Sequence, residues 1–596
     1  MKKEWSLAND KAILNFTRRY CTTYDEVLDS DGFRSLLEHF LKRRGREFSR
    51  ITDVIHDTLG AGKEITSEST IDNLITVFRL LVAMDVDIIS SAFPQYQALA
   101  QHRKDFLYLV EEIYNYWLGL ERYSVLFQRD QNTNLSRVSF IDANTQFKTL
   151  ILGFYRLIRI NISGTHPTVF RQVTAGVNVG MVCHTNFWPI PSGYESLKGI
   201  PFIDTILLET PFITYPKRNT RQGFFIESGQ NPLSRITINE HSFFCFPVKV
   251  GDLLAYVYVH RDFLTHGVSL ANLFQFAEEE ETAGHRPDII YVFGGDTGSS
   301  EPEDSYYYDK TNDMLVGMVS HHQDYDYFGY MKKMMLTLHN IRQMHRGNLP
   351  IHGAMVKIVL KSGHKANVVI MGDSGAGKSE SIEAFRSLAD AHISDMTIIF
   401  DDMGTFVLPD SKTAGSVEDE DTLVAYGTEI GAFVRLDDLD SGYAFKQLSR
   451  SIFMNPDKVN ARLINPVATY EEIMAGEKVE IFLYANNYDT VTPDKPALNF
   501  FGTKEEAIDI FKAGKRMAKG TTQEKGITTS YFANPFGPHQ DQETSDRLID
   551  RYFEHFYRHG IPVGELYTQL GVEGMENAGP EKAALDLFEW IKAQEE

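Results

Sequence analysis

The chain has 596 residues, of which 43% are apolar and 23% are charged, so it can bury several large cores, and its length alone would allow about four domains. Acidic residues outnumber basic ones by 81 to 59, which gives a formal net charge of −22 and argues against binding to nucleic acid or to an anionic membrane surface. An anionic small-molecule substrate would therefore require a local basic pocket.

The sequence also limits the compartment. The N-terminus lacks the apolar core of a signal peptide, and no stretch of about 18 uncharged apolar residues occurs,. The three cysteines, Cys21, Cys183 and Cys245, are too widely spaced for a zinc knuckle or a redox pair, and we expect them to be buried and reduced. These features predict a soluble, cytoplasmic protein; they say nothing of its oligomeric state.

The N-terminal region, residues 1–160, is predicted to be mainly helical. Thr70 to Val86 and Lys104 to Gly119 carry apolar residues three and four positions apart, with few glycines or prolines,. This spacing places the apolar side chains on one face of a helix.

From about residue 161 the pattern changes to that of an α/β fold. Short apolar runs such as Ser242 to Val248 and Leu253 to Val259 are separated by Gly, Pro and Asn turns, which is typical of a mixed or antiparallel sheet. We interpret residues 161–324 as a mixed α/β lobe on the substrate side. We interpret residues 325–596 as a third region, which holds the motifs described next.

That last lobe contains a phosphate-binding loop that matches G-x-x-x-x-G-K-[ST],. The apolar run Val368 to Met371 precedes it as a buried strand would, and a segment with helical periodicity follows,. The glycines allow backbone N–H groups to converge on phosphate oxygens, Lys378 adds a cation, and the Ser379 hydroxyl can bind a divalent metal. The predicted nucleotide-binding residues are Gly372, Asp373, Ser374, Gly375, Ala376, Gly377, Lys378 and Ser379.

Two carboxylates follow this loop at a useful distance. Asp401 and Asp402 come 23 and 24 residues after Lys378, and they are predicted to end a second β-like run, Thr397 to Phe400. One carboxylate beside a phosphate loop can hold Mg2+, while the other orients a nucleophile or accepts its proton. In isolation the pair would be read as a turn, but beside a complete phosphate loop the acidic role is favoured.

Five further segments accompany the loop in a consistent order. They are Tyr327 to Lys333, Leu349 to His352, Gly427 to Arg435, and the late stretches Gly520 to Ile527 and Phe532 to Gly537. Together with the loop and the acidic pair, they resemble the motifs of the phosphoenolpyruvate carboxykinases and of their relatives, the HPr kinases. The resemblance covers about residues 325–540.

The resemblance implies a two-lobed carboxykinase-like fold, with the phosphate loop in a C-terminal mixed-sheet lobe and an extra helical N-terminal region. It also implies that Lys333, His352 and Asp402 hold Mn2+, while Ser379 and the nucleotide phosphates hold Mg2+. A lysine binds a metal only as the neutral amine, and burial beside a cation can lower its pKa enough for this. The mixed amine, imidazole and carboxylate set suits Mn2+ better than Ca2+.

The same resemblance suggests substrate contacts. Tyr327 and Gly329 would lie near the small substrate, and Arg435 stands where the family has a nucleotide-contacting lysine. The segment that contains Arg218 and Arg221 loosely resembles the family segment whose arginine binds the substrate carboxylate.

One departure concerns the transferred phosphate. The family's arginine after the late strand has no counterpart in Asn486 to Asp494, so Arg516 or Arg435 would have to supply that charge.

The implied activity is conversion of oxaloacetate and ATP or GTP into phosphoenolpyruvate, CO2 and the nucleoside diphosphate. ATP is favoured over GTP or pyrophosphate. The catalytic residues predicted for it are Lys333, Lys378, Asp401, Asp402 and Arg435. Two alternatives stay open: a kinase, HPr kinase-like or other, that acts on a different hydroxyl acceptor, and a nucleotide-binding regulator without turnover. The sequence of Gly372 to Glu380 is more similar to the HPr kinase loop than to the carboxykinase loop, although the chain is long for an HPr kinase.

Overall fold

The computed structural model describes residues 5–16, 21–47, 49–59, 65–127, 135–164, 175–220, 225–373, 375–377, 381, 384, 393–408, 422–436, 445–492, 494–518 and 526–594. The fold is mixed α/β with several mixed sheets. Two compact units divide the chain, Met1–Thr185 with Pro201–Phe212 and Asn186–Ile200 with Ile213–Glu596. Among the described residues, none of the helices combines the length and the apolar character that crossing a bilayer requires.

The first unit joins helices to a small group of strands. Its helices are α1 (Tyr24–Leu28), α2 (Asp31–Glu47), α3 (Ser49–Leu59), α4 (Glu68–Ala83), α5 (Val86–Ala92), α6 (Gln97–Gln101), α7 (Arg103–Gly119) and α8 (Leu135–Ser163). Its strands, in sheet order, are β1 (Trp5–Ala8), β2 (Lys11–Asn15), β3 (Glu121–Phe127), β4 (Val179–His184) and β5 (Phe202–Leu208). The strands β2, β3 and β4 run parallel.

The two helices predicted in this unit form as α4 and α7. Helix α4 ends at Ala83, three residues before the predicted end at Val86. The reason is that the Asp85 side chain accepts hydrogen bonds from the backbone of Asp87 and Ile88 and so caps the start of α5,. The expectation for the cysteines is wrong at one position, since Cys21 is only partly buried, whereas Cys183 and Cys245 are buried and all three are free. Cys21 lies just ahead of α1, at the edge of the helical core.

The second unit begins with a largely buried sheet. Its elements up to residue 345 are β6 (Phe212–Thr214), β7 (Phe243–Val250), β8 (Leu253–His260), α9 (Leu264–Leu270), β9 (Gln275–Phe276), α10 (Glu279–Thr282), β10 (Ile289–Gly295), β11 (Asp304–Asp309), β12 (Met314–Ser320) and α11 (Phe328–His345). Strands β7, β8, β10, β12 and β11 are neighbours in that order. The middle three, β8, β10 and β12, are parallel, so their carboxyl ends lie at one edge.

The C-terminal part of this unit contains a second large sheet. Its further elements are β13 (Leu349–Leu360), β14 (Lys365–Met371), β15 (Ile393–Val407), β16 (Val424–Gly427), β17 (Gly431–Arg435), β18 (Ile452–Met454), β19 (Arg462–Pro466), α12 (Tyr470–Met474), β20 (Glu477–Lys478), β21 (Ile481–Asn486), β22 (Leu498–Phe500), α13 (Lys504–Ala513), β23 (Lys515–Met517), β24 (Ile527–Thr529), α14 (Gln542–Arg558), β25 (Val563–Tyr567) and α15 (Ala578–Ala593). The order in the sheet is β20-β16-β15-β13-β14-β21-β25-β22. Strands β14, β21 and β25 are parallel to one another, and β13 is antiparallel to both β14 and β15.

Both faces of this sheet are buried, which explains the continuous apolar runs in its strands. Along β14, Val369 and Met371 pack into the core that contains α14, while Val368 and Ile370 pack into the core that contains α15. Because successive side chains of a strand alternate between faces, both cores draw on one short segment. The sheet is therefore a rigid base for the ends of β13, β14 and β15.

Candidate active site

A buried helix carries two consecutive lysines into the centre of the second unit. Helix α11 begins directly after Tyr327, and nearly all of its side chains are buried, which is typical of a helix packed on all sides. The ammonium groups of Lys332 and Lys333 lie 2.6 and 2.7 Å from Oδ2 of Asp402. Lys332 is almost fully buried, with 2% of its side chain exposed, and Lys333 is 15% exposed.

The third group, His352, lies on β13 and approaches Asp402 across the sheet. Its Nε2 is 3.0 Å from Oδ1 of Asp402, and in the ladder Asp402 stands opposite Gly353, one residue further along β13. The Asp402 backbone has φ of 93°, a left-handed conformation that costs about 1–3 kcal/mol in a residue other than glycine. This local distortion accompanies a carboxylate that meets two lysines and one histidine.

The prediction that Asp401 and Asp402 end a strand is wrong. Strand β15 continues to Val407, because its later residues pair with β13 on one side and with β16 on the other. The acidic pair therefore lies in the middle of a ladder. Asp401 stands opposite Ala354, and its joint catalytic role with Asp402 stays a prediction.

The ring of His352 is fixed by its second nitrogen. Nδ1 lies 2.9 Å from the carbonyl oxygen of Ala533, and the side chain is completely buried. A carbonyl can only accept, so Nδ1 carries the proton and Nε2 is directed at Asp402. Metal-binding histidines commonly donate their other ring N–H to a backbone carbonyl in this way.

The segment that supplies this carbonyl also packs on the lysines. The ring of Phe536 lies 4.7 Å from the Lys333 ammonium and 5.8 Å from the His352 ring. Its backbone carbonyl accepts a 2.6 Å hydrogen bond from the Asn340 side chain of α11. The late segment Phe532 to Gly537 thus closes one side of the cluster, which its sequence pattern alone did not indicate.

A second acid, Glu429, lies beyond Lys332. Its carboxylate is 2.9 Å from the Lys332 ammonium, and 2% of its side chain is exposed. Burial raises the pKa of Glu429 to about 7, even though Lys332 opposes the shift,. The sequence predicts no role for Glu429 or for Lys332, although both lie inside the motif segments.

The charges in the cluster control one another. Burial alone would raise the pKa of Asp402, but Lys332 and Lys333 outweigh it and hold that pKa well below its usual value. For Lys332, burial lowers the pKa, and Asp402 and Glu429 more than reverse this. For Lys333, burial also lowers the pKa; Asp402 opposes the shift, the neighbouring Lys332 reinforces it, and the net result is a lowered pKa. Lys333 is therefore the lysine better suited to act as a neutral amine.

The donor set fits a transition-metal ion. The separations of 2.7 Å for Lys333 Nζ and 3.0 Å for His352 Nε2 from the two Asp402 oxygens resemble those of adjacent ligands around an ion with bonds of about 2.1 Å, which lie about 3 Å apart. The chemistry agrees, since two nitrogens and a carboxylate favour Mn2+ or a related ion. The Asp402 side chain is 26% exposed, so a substrate or water can reach the site.

The first part of the phosphate loop begins next to His352. The backbone N–H of Gly372 donates to the His352 carbonyl at 3.0 Å, and Asp373 Oδ1 is 3.7 Å from His352 Nδ1. The other Asp373 oxygen accepts a 3.0 Å hydrogen bond from Arg516 Nε. Arg516, one of two arginines considered as a replacement for the missing family arginine, thus lies at the start of the loop.

Two polar side chains anchor the loop from neighbouring strands. The Asn487 amide donates to the Gly375 carbonyl at 2.8 Å, and the Thr568 hydroxyl donates to the Ala376 carbonyl at 2.7 Å. Gly377 has φ of 92°, and a Cβ there would come within 2.5 Å of the Thr568 side chain, so only glycine fits. Ser374, Lys378 and Ser379 lie outside the described residues, and so do their predicted roles.

The residues predicted to contact the substrate or the nucleotide lie in several different places. Tyr327 is 5% exposed, and a Cβ at Gly329 would meet the Tyr327 ring at 2.5 Å, so the glycine lets the ring lie against the helix start. Arg435 ends β17 opposite Arg462, in a different sheet from the loop. Arg218 is about half exposed and pairs with Asp324. The other predicted carboxylate-binding residue, Arg221, is outside the described residues.

No protein-family model matches the chain, and neither does any curated protein.

Proposed function

We propose that this chain is a nucleotide-dependent phosphotransferase of the phosphoenolpyruvate carboxykinase type. In this proposal the second unit has the two-lobed carboxykinase-like fold, and the phosphate loop at the end of β14 binds ATP or GTP. The observation that supports it is one juxtaposition. Lys333 and His352 contact the two oxygens of Asp402 at 2.7 and 3.0 Å, and the loop starts with a hydrogen bond to the His352 backbone.

The metals have separate places in the proposal. Lys333, His352 and Asp402 would hold Mn2+, and Ser379 with the nucleotide phosphates would hold Mg2+. When bound, Mn2+ would supply Lewis-acid polarisation of a substrate oxygen. The chain prepares for this by lowering the pKa of Lys333, by holding Asp402 ionised and by fixing the His352 ring through Ala533.

The reaction has two steps, a decarboxylation and a phosphoryl transfer. The bond between the β-carboxylate and C3 of oxaloacetate breaks, CO2 leaves, and the electron pair forms the enolate of pyruvate. The enolate oxygen then attacks the γ-phosphorus of the nucleotide, and the bridging oxygen departs with the diphosphate. Negative charge thus develops first on the enolate oxygen and then on the migrating phosphoryl group.

Positively charged side chains of this protein would stabilise the negative charge that develops in both steps. Lys332 is a permanent positive charge, because Asp402 and Glu429 keep its pKa raised, and it would stabilise the enolate electrostatically. Arg516, held on Asp373 at the start of the loop, would add a further positive charge there, and Lys378 would reach the terminal phosphates. Catalysis would depend on positioning and electrostatics, with no protein nucleophile.

A kinase of another hydroxyl acceptor is the second candidate. The observation that favours it concerns Arg218, the arginine expected to bind the substrate carboxylate. Arg218 is half exposed and pairs with Asp324 of the protein itself, so its charge is already engaged. The nucleotide site would be the same in both cases, whereas the Lys333 and His352 pair belongs by resemblance to the carboxykinase branch and favours the first candidate. The two candidates differ in what fills the space beside the triphosphate.

The deciding experiment supplies oxaloacetate, Mn2+ and Mg2+ with ATP or with GTP and measures phosphoenolpyruvate and CO2. Wild-type turnover that Lys333→Met removes, and that the exposed-lysine variant Lys310→Met keeps, supports the carboxykinase. Nucleotide hydrolysis without phosphoenolpyruvate favours the other kinase. Tight nucleotide binding with neither reaction would leave a regulator as the remaining interpretation.

A further inference from the structure

A second cluster of metal-binding side chains lies in the sheet formed by β8, β10 and β12. His260, Asp262 and His321 each offer a ligand atom, and these atoms all lie within 4.8 Å of one another. The three residues belong to none of the motifs that carry the proposed phosphotransfer, so the cluster requires its own explanation.

The fold brings these residues together from distant positions. His260 is the last residue of β8, and His321 directly follows β12. Strand β10 lies between them and is parallel to both, so all three strands end at the same edge. The carboxyl edge of parallel strands is where α/β sheets usually place their ligands.

The distances within the cluster suit a small ion. Asp262 Oδ2 is 2.9 Å from His321 Nε2 and 3.7 Å from His260 Nδ1. A tetrahedral ion with bonds of about 2.0–2.1 Å has its ligand atoms about 3.3 Å apart. These two separations lie on either side of that value, and every pair of ligand atoms in the cluster lies within 4.8 Å.

The surroundings make room for the two imidazoles. Gly294 in β10 has φ of 97°, and a Cβ there would lie 2.6 Å from His260 Cβ and 3.0 Å from the Phe263 ring. The Phe263 ring in turn lies 5.2 Å from the His321 ring, and the two histidine rings are 4.6 Å apart. A larger residue at position 294 would therefore displace the His260 side chain.

Two hydrogen bonds lie within the cluster. His321 Nε2 is 2.9 Å from Asp262 Oδ2, and His260 Nδ1 accepts a long 3.3 Å hydrogen bond from the Asp262 backbone. His260 Nδ1 and Asp262 Oδ2 stand 3.7 Å apart, beyond hydrogen-bonding distance. An ion between them would therefore join two ligand atoms that the hydrogen bonds leave apart.

We propose that His260, Asp262 and His321 form a transition-metal site, with Zn2+ as the best-suited ion, at the carboxyl edge of β8, β10 and β12. Two imidazoles and one carboxylate are typical zinc ligands, and three protein ligands leave a fourth position for water or a substrate atom. The His321 side chain is 39% exposed, so this fourth position is open to solvent. The site shares no residue with the Lys333, His352 and Asp402 group or with Ser379, so its ion is additional to the Mn2+ and Mg2+ of the proposed function.

The test uses the full-length protein, stripped with a chelator and titrated with Zn2+ and with Co2+. Equilibrium dialysis counts the bound ions, and the visible absorption of Co2+ reports a tetrahedral environment. His321→Gln and Asp262→Asn should each remove one equivalent of Zn2+, or weaken it by at least about a hundredfold, and should abolish the tetrahedral Co2+ band. His241→Gln, in an exposed histidine whose side chain is 62% accessible, is the matched control and should behave as wild type.

The same titrations separate this site from the other one. His352→Ala should leave the Co2+ band of the new site unchanged, whatever happens to enzymatic activity. Circular dichroism establishes that each variant is folded, and the partly exposed His321 makes its variant the less disruptive of the two. The proposal is overturned if wild type shows no tetrahedral Co2+ band, or if His321→Gln and Asp262→Asn retain the full number of Zn2+ ions.

Discussion

The sharpest prediction concerns Glu429, the buried acid beside Lys332. Its pKa is raised from 4.5 to about 7, primarily by burial. Between these two values the folded protein keeps a proton that the unfolded chain has released, so stability that is fully present below pH 4.5 is lost as the pH rises to 7. At about 1.4 kcal/mol for each pH unit, the loss amounts to about 3 kcal/mol.

Glu429→Gln removes this titration, because the amide has the shape of the protonated acid and cannot ionise. The free energy of unfolding of the variant, minus that of the wild type, should therefore rise by about 3 kcal/mol between pH 4.5 and 7 and level off above. At high pH the variant should be the more stable of the two. Its amide can still accept a hydrogen bond from Lys332.

Urea unfolding of the chelator-treated protein at several pH values, followed by fluorescence and circular dichroism, measures this difference. Glu280→Gln, at an exposed glutamate of α10, is the control and should show no such trend. A difference that stays constant with pH, or that falls as the pH rises, would mean that Glu429 is ionised throughout and would refute the reasoning about its burial.

The remaining predictions concern the loop and the metal ligands. Asp402→Asn should lower the free energy of unfolding by about 3–5 kcal/mol, because it removes the carboxylate that Lys333 contacts and leaves Lys332 only Glu429,, and denaturant titration measures this. Lys333→Met should abolish Mn2+ binding, followed by electron paramagnetic resonance, while nucleotide binding persists; unchanged Mn2+ affinity would discard the site. Gly377→Ala should weaken nucleotide binding at least tenfold in calorimetry, since the new methyl group meets Thr568,. Lys378→Ala should abolish phosphotransfer in the coupled assay, and retained turnover would exclude a role for this lysine.

Some of the fold could be predicted from local patterns. The strands around Ser242 to Val248 and Leu253 to Val259 form as β7 and β8, and the strand before the phosphate loop forms as β14, because alternation and turn residues act over a few neighbouring positions. The strand that contains Asp402 runs further than its sequence pattern predicts, because Met403 to Phe406 pair with residues of β13 that lie 51 to 57 positions earlier and Val407 pairs with Val424 of β16. Such long-range pairing leaves no mark within a short window of sequence.

The sequence by itself determined which chemical groups this protein has available: a phosphate loop, two adjacent lysines, a histidine and an acidic pair in a fixed order. Only the tertiary structure decided which of them meet. It joined Lys333, His352 and Asp402, added the buried Glu429, and assembled His260, Asp262 and His321 at the end of three parallel strands. The physical reason is that residue type and spacing set local conformation, whereas burial, strand order and side-chain contact across the sheet set pKa values and ligand geometry.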